Sequence, residues 1–314
     1  QPFILMVLLF ALGLGTTITF ASSHWLLAWM GLEINTLAIL PMMAQSHHPR
    51  SVEASTKYFL TQSTAAATLL FATMTNAWLT GQWNIHLMSD PVPLTMIVLA
   101  LSLKIGLAPL HTWLPEVLQG LDLTTALILS TWQKLAPFIL LMQIPAQGQT
   151  IIVALAITST IVGGLGGLNQ TQLRKVLAYS SIAHLGWMMI VIQFMPQITT
   201  LALVLYIVMT WATFLALKLN QTTTINTLTI SWTKSPILTA IFPMILLSLG
   251  GLPPLTGFLP KWMILQELTK QDLALAATLA ALTALLSLYF YLRIAYAMTL
   301  TVSPNNLMGT PPWR

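Results

Sequence analysis

Cysteine is absent from this chain, which excludes disulfides, iron–sulfur clusters and thiolate metal sites on it. Charge is nearly as scarce. Twelve basic and seven acidic side chains make up 6% of 314 residues, against roughly 25% in an ordinary soluble domain. So few charges cannot cover a water-facing surface. What the chain has instead is 56% apolar residues and a mean hydropathy of +0.80, and those residues must face lipid. The net charge of +5 does not mark a nucleic-acid partner, because the basic residues sit mostly singly between apolar runs rather than in a stripe with aromatics. That placement fits membrane orientation signals.

A bilayer core of ~30 Å needs about 20 apolar residues as a helix. Ten spans are expected, at 3–20, 24–44, 55–79, 93–112, 123–143, 150–168, 175–195, 198–218, 236–262 and 272–299. The first has no basic n-region and no A-x-A-like cleavage site, so it reads as a helix rather than a cleaved signal. Turn residues such as Ser22-Ser23, His47-His48-Pro49 and Gly148 separate the spans. The polar stretch Gln221–Thr233 reads as the longest loop, and the tail from Ser303 to Pro312 as a terminator. With ten spans, both termini share a face with Arg50, Lys57, Arg174, Lys175, Lys218, Lys234, Arg293 and Arg314. The other face holds Lys270 and, if interfacial, Lys261. Lys and Arg excess marks the inside, so both termini are expected inside.

Two segments carry proline and glycine within long apolar runs, Gly106-Leu107-Ala108-Pro109-Leu110-His111-Thr112-Trp113-Leu114-Pro115 and Gly251-Leu252-Pro253-Pro254-Leu255-Thr256-Gly257-Phe258-Leu259-Pro260. They align without gaps at an offset of 145 residues (254 minus 109). Each falls in the fourth helix of a five-helix set. Five is odd, so the second set enters the membrane from the opposite face, giving inverted repeats with matching interrupted helices. The expected fold is all-α: a polytopic membrane protein of two inverted five-helix repeats, 1–145 and 146–300, each with a broken fourth helix, then a polar tail 301–314. Proline removes a backbone donor, and freed carbonyls in lipid are costly unless protein or water meets them. Such breaks either line a polar cavity or are kinks satisfied by neighbouring helices.

An ionisable side chain in mid-span costs roughly 2.5–3.5 kcal/mol on insertion scales. Glu33, Lys104 and Lys134 lie near the centres of their spans, and Lys261 follows the second break. Burial disfavours a charged form and a nearby opposite charge restores it. A lysine that alternates between a carboxylate and another lysine would therefore load a proton in one arrangement and release it in the other. A structural ion pair, or snorkelling to the interface, is the alternative for these residues. His111 either carries protons or caps the carbonyls freed at the first break. His184 reads as an interhelical hydrogen bond or a relay group. His24, His47 and His48 read as interfacial, and Glu53–Lys57 as an i, i+4 pair. Lysines are poor metal ligands and only one acid is central, so no metal site is expected.

The run Lys104-Ile105-Gly106-Leu107-Ala108-Pro109-Leu110-His111 with Trp113-Leu114-Pro115-Glu116-Val117 resembles the broken-helix motif of the antiporter-like, proton-translocating membrane subunits of respiratory complex I. The stretches Gly167–Lys175, Ala178–Gly186 and Leu249–Lys261 resemble the same family, and Ser23-His24-Trp25 with Leu60-Thr61-Gln62 point to its vertebrate mitochondrial branch. The resemblance covers nearly the whole chain. It implies a Glu33–Lys104 pair in the first half-channel, a central Lys134 and an exit-side Lys261. It also implies other complex I membrane-arm subunits as partners, the mitochondrial inner membrane as location, and the matrix as the inside. NADH, FMN, iron–sulfur clusters and ubiquinone are then handled in or with other subunits, with no cofactor on this chain. Animal members are expected to carry one further helix beyond Arg314, and bacterial relatives extra N-terminal helices. Two other functions compete with the pump subunit: a stand-alone cation/proton antiporter, and a spacer that only holds a membrane arm together.

Overall fold

The computed structural model describes residues 2–45, 47–88, 90–145 and 149–301, and among these there is no strand. The first set is α1 (Pro2–Ala21), α2 (Trp25–Met43), α3 (Pro49–Thr80), α4 (Pro91–Ile105) with α5 (Trp113–Gly120), and α6 (Leu123–Gln143). The second is α7 (Gln149–Gly167), α8 (Leu173–Val191), α9 (Pro196–Asn220), α11 (Pro236–Gly250) with α12 (Phe258–Lys270), and α13 (Ala274–Leu300), with the short α10 (Ile225–Ile230) between α9 and α11. Gly148 and the tail from residue 302, with Arg314, lie outside the described residues.

Six helices, α1, α2, α6, α7, α9 and α13, are long and apolar enough to cross a membrane by themselves. The other four passes depart from that pattern for physical reasons. Two are broken. α3, 32 residues long, spans about 48 Å at the helical rise and carries many Thr, Ser, Gln and Asn side chains. α8 is enclosed by protein, with most of its residues buried, so it needs little lipid-compatible surface. Hydroxyls along the passes are met internally: Thr19 donates to Thr16 O at 2.7 Å, Ser102 to Leu99 O at 2.7 Å and Thr160 to Ile157 O at 2.8 Å. Where water is missing, this back-bonding keeps a threonine-rich helix viable.

The repeat extends to the helix boundaries. Pro91 and Pro236 start the fourth passes, Ile105 and Gly250 end their first halves, and Trp113 and Phe258 restart them. Each pair is 145 residues apart (236 minus 91, 250 minus 105, 258 minus 113). The cap geometry repeats as well. Gly106 (φ 85°) and Gly251 (φ 80°) are left-handed, a conformation that glycine adopts without a Cβ penalty. Beyond them Leu107 N donates to Ser102 O at 2.9 Å and Leu252 N to Leu247 O at 3.3 Å. In both sets the first helix packs on the second, the second on the third, the fourth on the third and fifth, and the fifth closes back on the first. The first pair in each set meets through glycine: a Cβ on Gly15 would lie 2.8 Å from Gly31 O, and one on Gly163 2.6 Å from Ala183 N.

Four stretches depart clearly from the sequence reading, the first being α3, which begins at Pro49 rather than 55. The fourth and ninth passes run on to Gly120 and Lys270 rather than to 112 and 262. Pro115 and Pro260 fall in the first turn of the restarted helices, where the missing N–H would have no intrahelical partner. The stretch Gln221–Thr233 is not plain loop: the Thr224 and Thr227 side chains form a capping box that starts α10, followed by a single 3-10 turn at Ser231–Thr233.

Candidate functional site

The first break places its polar groups in a defined pattern. His111 is half-buried and its Nδ1 lies 3.2 Å from Pro109 O, within the break itself. Trp113 Nε1 donates to Leu103 O at 3.1 Å, and Gln62 Nε2 from α3 reaches Lys104 O at 3.5 Å. Carbonyls released by the interruption are thus met by side chains, as a non-polar surrounding requires. The Ala108–Pro109 peptide is cis.

Lys104 is in the last turn of α4, facing inward. Its Nζ is buried and makes no hydrogen bond with the described protein atoms, and neither does the buried side-chain amide of Asn35. Both residues line one enclosed space together with Gln62, Gln133, Tyr58 and Lys134. About 20 Å³ of it is open to the centre of a water molecule, above the roughly 10–15 Å³ that one water needs. Buried polar atoms are ordinarily paired, so groups that converge unpaired on a space of this size make a site for water. Glu33 on α2 is half-buried. The direct ion pairs among the described residues are Lys57–Glu53, Lys57–Glu116 and Lys270–Glu267, so Glu33 and Lys104 are not in contact. Glu33 shares α2 with Leu32, Asn35 and Thr36, which line this space.

Lys134, on α6, is buried at 3% exposure. Its Nζ donates to the Tyr206 hydroxyl at 3.3 Å and lies 5.3 Å from the centre of that ring. The Tyr206 hydroxyl in turn donates to Ser130 O, one turn before Lys134, at 3.0 Å. Tyr206 belongs to α9, so this contact joins the two five-helix sets.

A second enclosed space, also about 20 Å³ to a water centre, is lined by Tyr206, His184, Trp187 and Lys261 among others. Lys261 Nζ donates to Gly250 O at 2.8 Å and sits 5.9 Å from the Trp187 ring centre. That carbonyl belongs to the last residue of α11, where the second break frees it. The His184 ring lies 5.7 Å from that of Tyr206.

Most of the remaining charges are peripheral; Glu267 is the buried exception, 3.7 Å from Lys270 Nζ. Lys57 Nζ is 2.8 Å from both Glu53 and Glu116 carboxylates, tying α3 to α5 at an exposed position. The Lys57 ammonium holds the Glu53 carboxyl below the usual carboxylate range. His24 and His48 accept from Leu26 N and Arg50 N, capping α2 and α3. Arg174 donates to Leu121 O, and Arg293 to Leu168 O at 2.5 Å. Among the described residues no three His, Asp or Glu side chains gather closely enough to hold a metal ion.

Of the residues singled out from sequence, Lys104 and Lys134 thus share the first space and Lys261 lines the second, while Glu33 is next in sequence to Leu32, which lines the first. His111 stays at the break. Sequence reasoning missed Tyr206, Asn35, Gln62 and Gln133. Asn35 and Gln133 left a signal, each lying one or two residues from a mid-span charge.

Residues 22–287 match the family described as NADH:quinone oxidoreductase/Mrp antiporter, TM, and residues 288–314 match NADH dehydrogenase subunit 2 C-terminus. The chain is 71% identical over 314 residues to NADH-ubiquinone oxidoreductase chain 2 of Tetraodon nigroviridis, covering all of this chain and 90% of that one. It is 70% identical over the same length to the protein of that name from Gadus morhua, again covering 90% of it. In structure it is similar to a chain of respiratory complex I from Thermus thermophilus with bound aureothin, with a TM-score of 0.89 and 29% identity, covering 99% of this chain and 74% of that one. It also shares its fold with a chain of the Mrp complex from Dietzia sp. DQ12-45-1b (TM-score 0.84, 18% identity, 97% of this chain and 62% of that one).

Proposed function

From the premise that the chain belongs to the NADH:quinone oxidoreductase/Mrp antiporter family, as an antiporter-like proton-translocating membrane subunit of complex I, we propose that its protons travel by the buried series Glu33, Lys104, Lys134 and Lys261. The observation that carries this reading is the enclosed space shared by Lys104 and Lys134, with the unpaired Lys104 Nζ and Asn35 amide turned into it. While the Glu33 carboxylate stands near, the Lys104 ammonium is favoured; when that charge is neutralised or withdrawn, the buried ammonium is disfavoured and its proton leaves. A water in the shared space passes it to Lys134. Lys261, held by the carbonyl freed at the second break, is the exit-side group. His111 has a lesser part: its bond to Pro109 O supports a cap for the break, with proton transfer as a second role.

The segments 1–145 and 146–300 are then the two half-channels. NADH, FMN, iron–sulfur clusters and ubiquinone are bound in or with other subunits, and this chain carries none of them. Its partners are the neighbouring membrane-arm subunits, and its place is the mitochondrial inner membrane. Loop charges support both ends of this sequence facing the matrix. The test is Lys104→Met in the assembled enzyme reconstituted into liposomes. The expected result is fewer protons moved per NADH with NADH oxidation retained in the presence of an uncoupler. Unchanged pumping stoichiometry would refute the relay, and loss of assembly with normal stoichiometry in the remainder would favour a spacer.

A further inference from the structure

The two enclosed spaces are separate, and the series of lysines leaves a gap between them. One side chain borders both sides of that gap. Tyr206 is 1% exposed, touches Lys134 through its hydroxyl and lines the space that holds His184 and Lys261. Its ring stands between α6 of the first set and α8 of the second. On α8, Ser181 and His184 are one turn apart and so share a face. Of the two, His184 is in ring contact with Tyr206, with centroids 5.7 Å apart. A phenylalanine would fill the same volume, so packing does not account for a hydroxyl here. What a phenylalanine would lose is the pairing of the buried Lys134 Nζ, which donates to this hydroxyl, and the hydroxyl's own bond to Ser130 O.

We propose that the Tyr206 hydroxyl is the proton link between the two five-helix sets, taking a proton from Lys134 and giving one to the space that holds His184 and Lys261. This rests on the lysine series proposed above. A phenolic oxygen can accept and donate at once, which the step requires. A Lys134 N–H bond breaks as a new O–H bond forms on the Tyr206 oxygen. The original hydroxyl proton leaves that oxygen for the neutral imidazole of His184, or for a water beside it. Tyr206 begins and ends neutral, Lys134 ends as the amine, one proton has crossed, and nothing is oxidised or reduced. In the present arrangement the hydroxyl proton points at Ser130 O, toward the first set, so the link is open. Rotation about the C–O bond toward α8 closes it. The carbonyl of Ser130 thereby acts as a rest position that keeps the two half-channels from conducting freely.

The experiment compares enzyme carrying Tyr206→Phe, Tyr206→His or Lys134→Met, each assembled in the full complex, in liposomes, with protons per NADH and uncoupled NADH oxidation measured together. Tyr206→Phe is expected to keep NADH oxidation and the ring contacts while lowering protons per NADH to the level of Lys134→Met. Tyr206→His, whose ring takes a proton at one nitrogen and releases one at the other, is expected to recover part of the loss. Normal pumping in Tyr206→Phe beside impaired pumping in Lys134→Met overturns the tyrosine link and leaves the lysine series standing. Normal pumping in both removes the lysine series itself. A lowered ratio in Tyr206→Phe with no recovery in Tyr206→His reduces Tyr206 to positioning Lys134 and overturns the transfer step. Should Tyr206→Phe not assemble, the histidine variant decides: a ratio above that of Lys134→Met supports the link, and an equal ratio overturns it.

Discussion

Gly106 and Gly251 occupy the same place in the two repeats, and the consequences of giving each a methyl group differ in a way the structure quantifies. Both have φ near +80° (85° and 80°), so alanine at either incurs left-handed strain of about 1–2 kcal/mol. At Gly106 the added Cβ would have its nearest neighbours at 3.4 to 3.6 Å, on Trp113 and Leu114, which is ordinary contact. At Gly251 it would meet Lys261 Cδ at 2.9 Å, Nζ at 3.0 Å and Cε at 3.1 Å. The lysine must move, and the 2.8 Å bond from its Nζ to Gly250 O is lost. A hydrogen bond to a charged group contributes about 1.5–3 kcal/mol. Gly251→Ala should therefore destabilise by about 2.5–5 kcal/mol, against about 1–2 for Gly106→Ala. The measurement is thermal inactivation of the assembled enzyme for both variants, alongside protons per NADH. Gly251→Ala should inactivate at clearly lower temperature and also pump less, whereas Gly106→Ala should lose stability alone. Equal thermal shifts and equal pumping in the two variants would show that Lys261 does not depend on that carbonyl.

Gly163→Leu should block packing of α7 on α8, since even a Cβ there would lie 2.6 Å from Ala183 N; overpacking costs about 1–3 kcal/mol per site, read as loss of this chain from the assembled complex on native gels. Lys57→Met removes only an exposed cluster, so protons per NADH should stay unchanged, and a fall would bring that cluster into the path. The Glu53–Lys57 contact follows pH with a fixed sign. Because the folded carboxyl sits below its ordinary range, its contribution is complete above about pH 4.5 and fades as pH falls through the lowered value, so stability should not change between pH 6 and 8 on its account.

The passes were legible because burial in lipid forces long apolar runs, and the repeat because proline and glycine at a fixed offset are rare enough to read. Glu33, Lys104 and Lys134 announced themselves by charge where charge is costly. Tyr206 did not. A tyrosine within Leu203-Val204-Leu205-Tyr206-Ile207-Val208 looks like any other buried or interfacial ring, and only the distance to Lys134, 72 positions away in sequence, distinguishes it. Gln62 was hidden for a related reason: whether an amide meets a partner or an enclosed space depends on helices far apart in sequence. The broken passes run on to Gly120 and Lys270 because the helix restarts after each break, with Pro115 and Pro260 in its first turn, where proline is tolerated.

Inversion also explains an asymmetry that a simple duplication does not. The two breaks share a backbone, yet the first has a lysine before it, Lys104, and the second a lysine after it, Lys261. The position matching Lys104 is Leu249, and the position matching Lys261 is Glu116, which sits exposed against Lys57. If the repeats ran the same way through the membrane, these two lysines would lie on opposite sides of the midplane. Because the second set runs in reverse, the half-helix before the first break and the half-helix after the second break occupy the same half of the bilayer. In the proposed series Lys104 and Lys261 would then share one half of the bilayer, while Lys134 bonds to Tyr206 across the junction of the sets. The proposed path through these groups would then run along the membrane rather than across it. Access from each face must then be supplied by the breaks themselves, where His111 and Gly250 O already stand at the freed backbone.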